Sequence, residues 1–278
     1  MKTFKLHNNI QIPAVGFGTY KIQEGQECID AVKFALKHNY RHIDTAAVYE
    51  NEKSVGIAIR ESAIPREELF ITTKVWNTER GYEKTLKAFD ASMERLGLEY
   101  LDLYLIHWPA NTKQFSNAAE LNAETWRALE TLYLNGKIRA IGVSNFLVHH
   151  LEELFKTATI KPMVNQIEYH PGYTQTDTVE FCKQHNILVE AWSPLGRGRV
   201  LENPVLVELA GKYNVSTGAV CLQFALQQGI IVLPKSTNEE RIIANNSIDF
   251  ILSDEDIKKI NNMPETGFSG LQPDNVDF

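Results

Sequence analysis

The sequence predicts an α/β fold in which eight strand–helix units close into a (β/α)8 TIM barrel. Three observations carry that reading. Eight apolar runs of strand length recur along the chain. Stretches with helical periodicity lie between them. The 278 residues also suit one such barrel, which takes about 250.

The elements follow in order. Thr3 to Ala14 reads as a short hairpin turning at Asn8-Asn9, a pair that tolerates the positive φ of a tight turn. Strands are then expected at Val15–Thr19, Tyr40–Ala46, Leu69–Trp76, Leu101–Trp108, Ile138–Phe146, Met163–His170, Leu188–Leu195 and Ile230–Ser236. In Gln26–His38 the residues Ile29, Val32, Phe34, Ala35 and Leu36 cluster on one helical face. In Gly81–Leu96 the stripe is Leu86, Phe89, Met93 and Leu96. Asn203–Tyr213, Thr217–Gln228, Asn238–Asn246 and Asp254–Asn262 add helices late in the chain, one or two of them decorations. Near-continuous apolar strands alternating with amphipathic helices indicate a parallel sheet covered by helices, and eight of them favour closure. With no Ser/Gly-rich linker, residues 1–278 read as one barrel domain. The turn-rich tail from Pro264 is expected to lie over one rim.

Composition narrows the function classes. The N-terminus has no apolar h-region, and no apolar run approaches the ~18 residues of a membrane span. Cys28, Cys182 and Cys221 are isolated and lack metal-type spacing, which suits a reduced compartment. A cytoplasmic protein without membrane contact is expected. The net charge of −7 argues against a general nucleic-acid binder. With no long apolar surface stripe, a monomer is expected, and the Asn214 sequon is read as idle.

The chemistry is read from phase. Barrel enzymes carry their sites at the C-terminal ends of the strands. The second, third and fourth runs each finish on an ionisable residue that the apolar stretch does not foretell: Asp44, Lys74 and His107. Adjacent strands lie about 4.8 Å apart, so these tips can converge. Tyr49 follows at the start of the next helix. Each residue alone has a plain structural explanation, as a capping acid, a solvated strand end, a core histidine or a packing phenol. Together they assemble a proton donor. A lysine ammonium favours the tyrosinate and lowers the phenol's pKa from about 10. Asp44 holds Lys74 charged, neutral His107 hydrogen-bonds a substrate oxygen, and Tyr49 acts as general acid. GlyPheGly at 16–18 lacks the third glycine and the following helix of a dinucleotide fingerprint. His42-Ile43-Asp44 lacks the further ligands of a barrel metal site, so no metal is expected.

At this point the residues match a known pattern. The chain resembles the aldo-keto reductases, in particular the short-loop prokaryotic-type members, over essentially its whole length. The motifs are GlyPheGlyThrTyrLys at 16–21, TyrArgHisIleAspThrAla at 40–46 with Tyr49 and AsnGlu at 51–52, and LysValTrp at 74–76. HisTrpPro at 107–109, GlyValSerAsnPhe at 142–146, AsnGlnIleGluTyrHisPro at 165–171, TrpSerProLeuGly at 192–196 and ProLysSer at 234–236 follow.

The resemblance implies a tetrad of Asp44, Tyr49, Lys74 and His107, and NADP(H) bound across the barrel top. Gly18, Thr19 and Asp44 are implied to contact the cofactor. Ser144, Asn145 and Gln166 are implied to hold its carboxamide, and Trp192 to stack on its nicotinamide. Ser193, Leu195 and Gly196 are implied to line the pyrophosphate path. Lys235, Ser236 and Arg241 are implied at the 2′-phosphate, with Asn245 near the adenine. Tyr20, Trp76 and Trp108, together with Tyr49 and His107, are implied to face a small carbonyl substrate in an open, aromatic site. Three departures stand out: Asn39 where the family often has Gly, Thr237-Asn238 for Val-Thr, and Ala244 for an adenine-binding Glu. The expected activity is NADPH-dependent reduction of small aldehydes, dicarbonyls or sugar-derived ketones. The alternative is a regulatory or sensor barrel with vestigial turnover.

Overall fold

The computed structural model describes residues 2–278. Strands β1 (Thr3–Lys5) and β2 (Gln11–Pro13) form the hairpin, with Asn9 at φ 72° in its turn. Then come β3 (Phe17–Gly18), α1 (Gln26–Lys37), β4 (His42–Asp44), α2 (Glu52–Glu61), β5 (Phe70–Val75), α3 (Tyr82–Leu96), β6 (Leu101–Ile106) and α4 (Ala118–Leu134). The second half runs β7 (Ile138–Ser144), α5 (Val148–Phe155), β8 (Val164–Glu168), α6 (Thr176–Gln184), β9 (Leu188–Trp192), α7 (Pro204–Tyr213), α8 (Thr217–Gln227), β10 (Ile231–Leu233), α9 (Glu239–Asn246) and α10 (Asp254–Asn261).

Strands β3 to β10 pair in chain order, each parallel to the next. Val15 and Val232 bridge the two edges, with Gly16 N donating to Val232 O at 2.9 Å and Val232 N to Ala14 O at 3.0 Å. Those bonds complete the ring. Gly16 permits the seam to close, because a Cβ there would lie 2.5 Å from Leu233 and 2.7 Å from His42.

All eight expected strands are present, several of them shorter than their apolar runs. The runs continue past the ladder into rim loops that are still buried, as at Ala46 and Phe146. Every residue of β5 and β6 is buried, as strands packed on both faces must be. Side-chain caps start the late helices: Asn203, Ser216, Asn238 and Ser253 each accept a backbone N–H of the first turn. Asn39 has φ 66°, so an asparagine serves where glycine is the commoner choice.

The tail crosses the C-terminal rim. Asn111 Nδ2 donates to Pro273 O and Val276 O, Arg199 to Phe268 O, and Ser269 Oγ to Glu168. Asp274 accepts from His149, and His150 Nε2 lies 3.2 Å from the same oxygen. Leu147 N–H donates to His150 Nδ1, so that ring's proton is on Nε2, and the three side chains tie the tail to α5. No described helix is long and apolar enough to cross a membrane. The three cysteines are buried and unpaired.

Candidate active site

Asp44 ends β4, Lys74 stands one residue before the end of β5, and His107 follows directly on β6. In the parallel register Asp44 lies opposite Thr72, so Lys74 sits two residues further up the barrel and its long side chain reaches back. Its ammonium donates to Asp44 Oδ1 at 2.8 Å, Asp44 Oδ2 at 2.9 Å and Thr45 O at 2.8 Å. Those contacts match the three N–H groups of a lysine.

Tyr49 closes a short 3-10 turn, Ala47–Tyr49, just ahead of α2 rather than inside a helix. Its ring lies 5.0 Å from Lys74 Nζ and 5.6 Å, edge-on, from the His107 ring. The four residues named from phase therefore share one spot.

The electrostatics depart from the sequence expectation in one respect. Burial pushes the Tyr49 phenol up to about 12, and the charge and hydrogen bonding of Lys74 offset this only in part. The phenol is firmly protonated at neutral pH. Burial alone would lower the Lys74 ammonium, yet Asp44 and the phenol reverse this and hold it above the ordinary lysine value. Burial, then the Lys74 charge, drives His107 well below the usual histidine range, so its ring is neutral.

Behind the tetrad the barrel interior holds a polar layer that sequence reasoning missed in part. Gln166 Nε2 donates to Asp44 Oδ2 and to Glu190 Oε2, both at 2.9 Å. Glu190 is fully buried, and burial followed by the Asp44 charge pushes it up to about 8. His42 Nε2 lies 3.8 Å from Glu190 Oε1 and contacts Thr72 Oγ1 at 3.1 Å, with burial pushing its ring down to about 3. The available signal for Glu190 was one acid inside the apolar run Leu188–Trp192.

The remaining candidates surround this centre. Thr19 N and Oγ1 both donate to Asp44 O at 3.0 Å, which places Gly18 and Thr19 on the same rim. Ser144 Oγ donates to Gln166 O at 2.7 Å. Asn145, at φ 64°, donates to His107 O and Ser144 Oγ and accepts from Trp192 Nε1 at 2.8 Å. Trp192 is half-buried, with the Arg197 guanidinium 5.5 Å from its ring, and Ser193, Leu195 and Gly196 continue from it. Lys235 and Arg241 are exposed around buried Ser236, whose Oγ accepts from Asn238 N. Asn238 is the α9 N-cap, a role that threonine also fills. Glu239 and Glu240 share that first turn and temper the basic cluster. Ala244 is exposed and Asn245 half-buried on the same helix.

Aromatic rings wall the mouth. Tyr20 lies 5.1 Å from Tyr49, Trp76 5.1 Å from His107, and Trp108 6.5 Å from Trp192. Phe278, which sequence reasoning did not single out, stacks on Trp76 at 5.5 Å and meets Trp108 edge-on at 5.4 Å.

The model of the Aldo/keto reductase family matches residues 14–265. The chain is 54% identical to glyoxal reductase of Bacillus subtilis (strain 168) over 277 residues, 99% of this chain and 98% of that one. An aldo-keto reductase from a Medee basin deep-sea metagenome library superposes with a TM-score of 0.93 at 44% identity, covering 99% of this chain and 100% of the other. A Bombyx mori aldo-keto reductase solved in complex with NADP superposes with a TM-score of 0.86 at 37% identity, covering 94% and 92%.

Proposed function

The chain belongs to the aldo/keto reductase family, and from that premise we propose that it reduces small aldehydes, dicarbonyls or sugar-derived ketones with NADP(H), using Tyr49 as general acid. The observation that carries this is the wholly buried Lys74–Asp44 pair set against a protonated phenol and a neutral imidazole. A plain binding module has no need of such a group.

The residues present fit the cofactor. Gln166 Oε1 has no donor among the described residues, Trp192 is half-buried at the rim, and Lys235 and Arg241 flank Ser236 near the start of α9. Ser144, Asn145 and Gln166 would hold the carboxamide, with Trp192 against the ring. Gly18, Thr19, Ser193, Leu195 and Gly196 would border the remainder, and Lys235, Ser236, Arg241 and Asn245 its far end. When bound, the cofactor supplies the hydride.

The protein's own part is proton placement. His107 Nδ1 is buried without a partner. An orphaned buried N–H is rarer than an orphaned acceptor, so the ring proton belongs on Nε2, free to hydrogen-bond a substrate carbonyl oxygen. Tyr49 Oη then delivers its proton to that oxygen as the carbonyl carbon is reduced. The nearby Lys74 cation stabilises the tyrosinate left behind, and Asp44 keeps that cation charged and in place. Tyr20, Trp76, Trp108 and Phe278 shelter the oxygen from water and favour compact substrates.

The test is Tyr49→Phe. It should bind NADPH as the parent does and lose at least ~10²-fold in turnover across a panel of aldehydes. Near-parental turnover would remove Tyr49 from the acid role. Negligible parental turnover with tight NADPH binding would favour a sensor.

A further inference from the structure

Glu190 is a buried carboxyl that the proton-transfer chemistry does not use. It projects from β9 towards Asp44 and His42 of β4, Lys74 of β5 and Gln166 of β8. Asp44 takes two hydrogen bonds from the Lys74 ammonium, whereas Glu190 feels that charge only from a distance, its Oε1 is buried with no hydrogen-bond partner, and the neighbouring His42 is neutral. A carboxyl left so poorly compensated costs stability. Its one direct hydrogen bond is the one from Gln166 Nε2.

A primary amide has two N–H groups, and here Asp44 takes one and Glu190 the other. Turned over, the amide would set its oxygen against two carboxyl oxygens in a buried site. Oε1 is thereby directed away from both acids, and no donor among the described residues meets it. Without Glu190, the second N–H would be orphaned and the amide held through Asp44 alone, so it could swing off the direction that aims Oε1 into the cleft.

We propose that Glu190 is a positioning residue that, with Asp44, locks the Gln166 amide so that Oε1 is presented as an acceptor to the carboxamide N–H of a bound nicotinamide. This rests on the NADP(H) reading above. In either protonation state Glu190 keeps an oxygen that accepts from Gln166, and the Asp44 carboxylate, which can only accept, opposes reversal of the amide.

The experiment is calorimetric binding of NADP+ and of its 3-acetylpyridine analogue, in which a methyl group replaces the carboxamide nitrogen. The parent protein should prefer NADP+ by roughly 3- to 10-fold, the scale of one net hydrogen bond. Glu190→Leu should abolish that preference, and Glu190→Gln, which keeps an acceptor, should restore it. Equal weakening of both ligands in Glu190→Leu means a merely structural role and overturns the proposal. So does a parent protein that binds both ligands equally, a comparison that needs no variant to fold. If neither ligand binds the parent, the NADP(H) reading itself fails.

Discussion

At the N-terminal end of the barrel, Asp102 accepts from Ile71 N at 2.9 Å and pairs with Arg66 and Arg139, each at 2.7 Å. At the opposite end Asp44 pairs with Lys74 at 2.8 Å. Both carboxylates are buried, yet their cations differ. The Arg66 and Arg139 side chains are 20% and 41% exposed, whereas that of Lys74 is 0% exposed. The lower acid is neutralised by charges that stay partly in water and face no reacting group. The upper cation has been drawn wholly out of solvent, next to a phenol and an imidazole on which its charge acts. On the proposed chemistry, burial of the cation, rather than of the acid, separates a fastening from a chemical device.

That contrast can be broken from either side. The largest effect is expected from Lys74→Met, which should lower turnover by about 10²–10⁴-fold, read against a melting curve that verifies folding. Retained turnover would make the upper pair a fastening too. Next comes pH. With Tyr49 pushed up to about 12, carbonyl reduction uses the protonated form and should be nearly flat from pH 6 to 9. Alcohol oxidation needs the tyrosinate and should rise by up to about tenfold per pH unit over the same range. Equal profiles in both directions would contradict the assignment. The smallest effect is expected at the lower end. Asp102→Ala should cost about 2–3 kcal/mol in denaturant unfolding, below the 3–5 of a fully buried pair because both arginines can turn to water. Its kcat should stay within about twofold of the parent's.

The barrel and the gathering of Asp44, Tyr49, Lys74 and His107 at its rim were legible because two signals coincide in the chain. Strands such as β5 and β6, buried on both faces, leave unbroken apolar runs, and a single ionisable residue ending such a run marks the rim. Asp44, Lys74 and His107 were found that way. Glu190 and His42 were not, since a polar residue inside a strand buried on both faces gives no sign of whether it points to the lumen or to the helices. The phenol's proton affinity was misjudged for a related reason: sequence shows the neighbouring lysine but not the desolvation that outweighs it. Phe278 reaches the mouth through a tail with no periodicity, which leaves nothing to read.

Asn145 joins three of these rim segments through one small side chain, holding His107 O after β6, Ser144 Oγ at the end of β7 and Trp192 Nε1 at the end of β9. With its amide thus tied, the indole and the imidazole loop have surrendered most of their rotational freedom before any guest arrives. Association then forfeits little entropy at this rim, and affinity can come from a modest number of contacts.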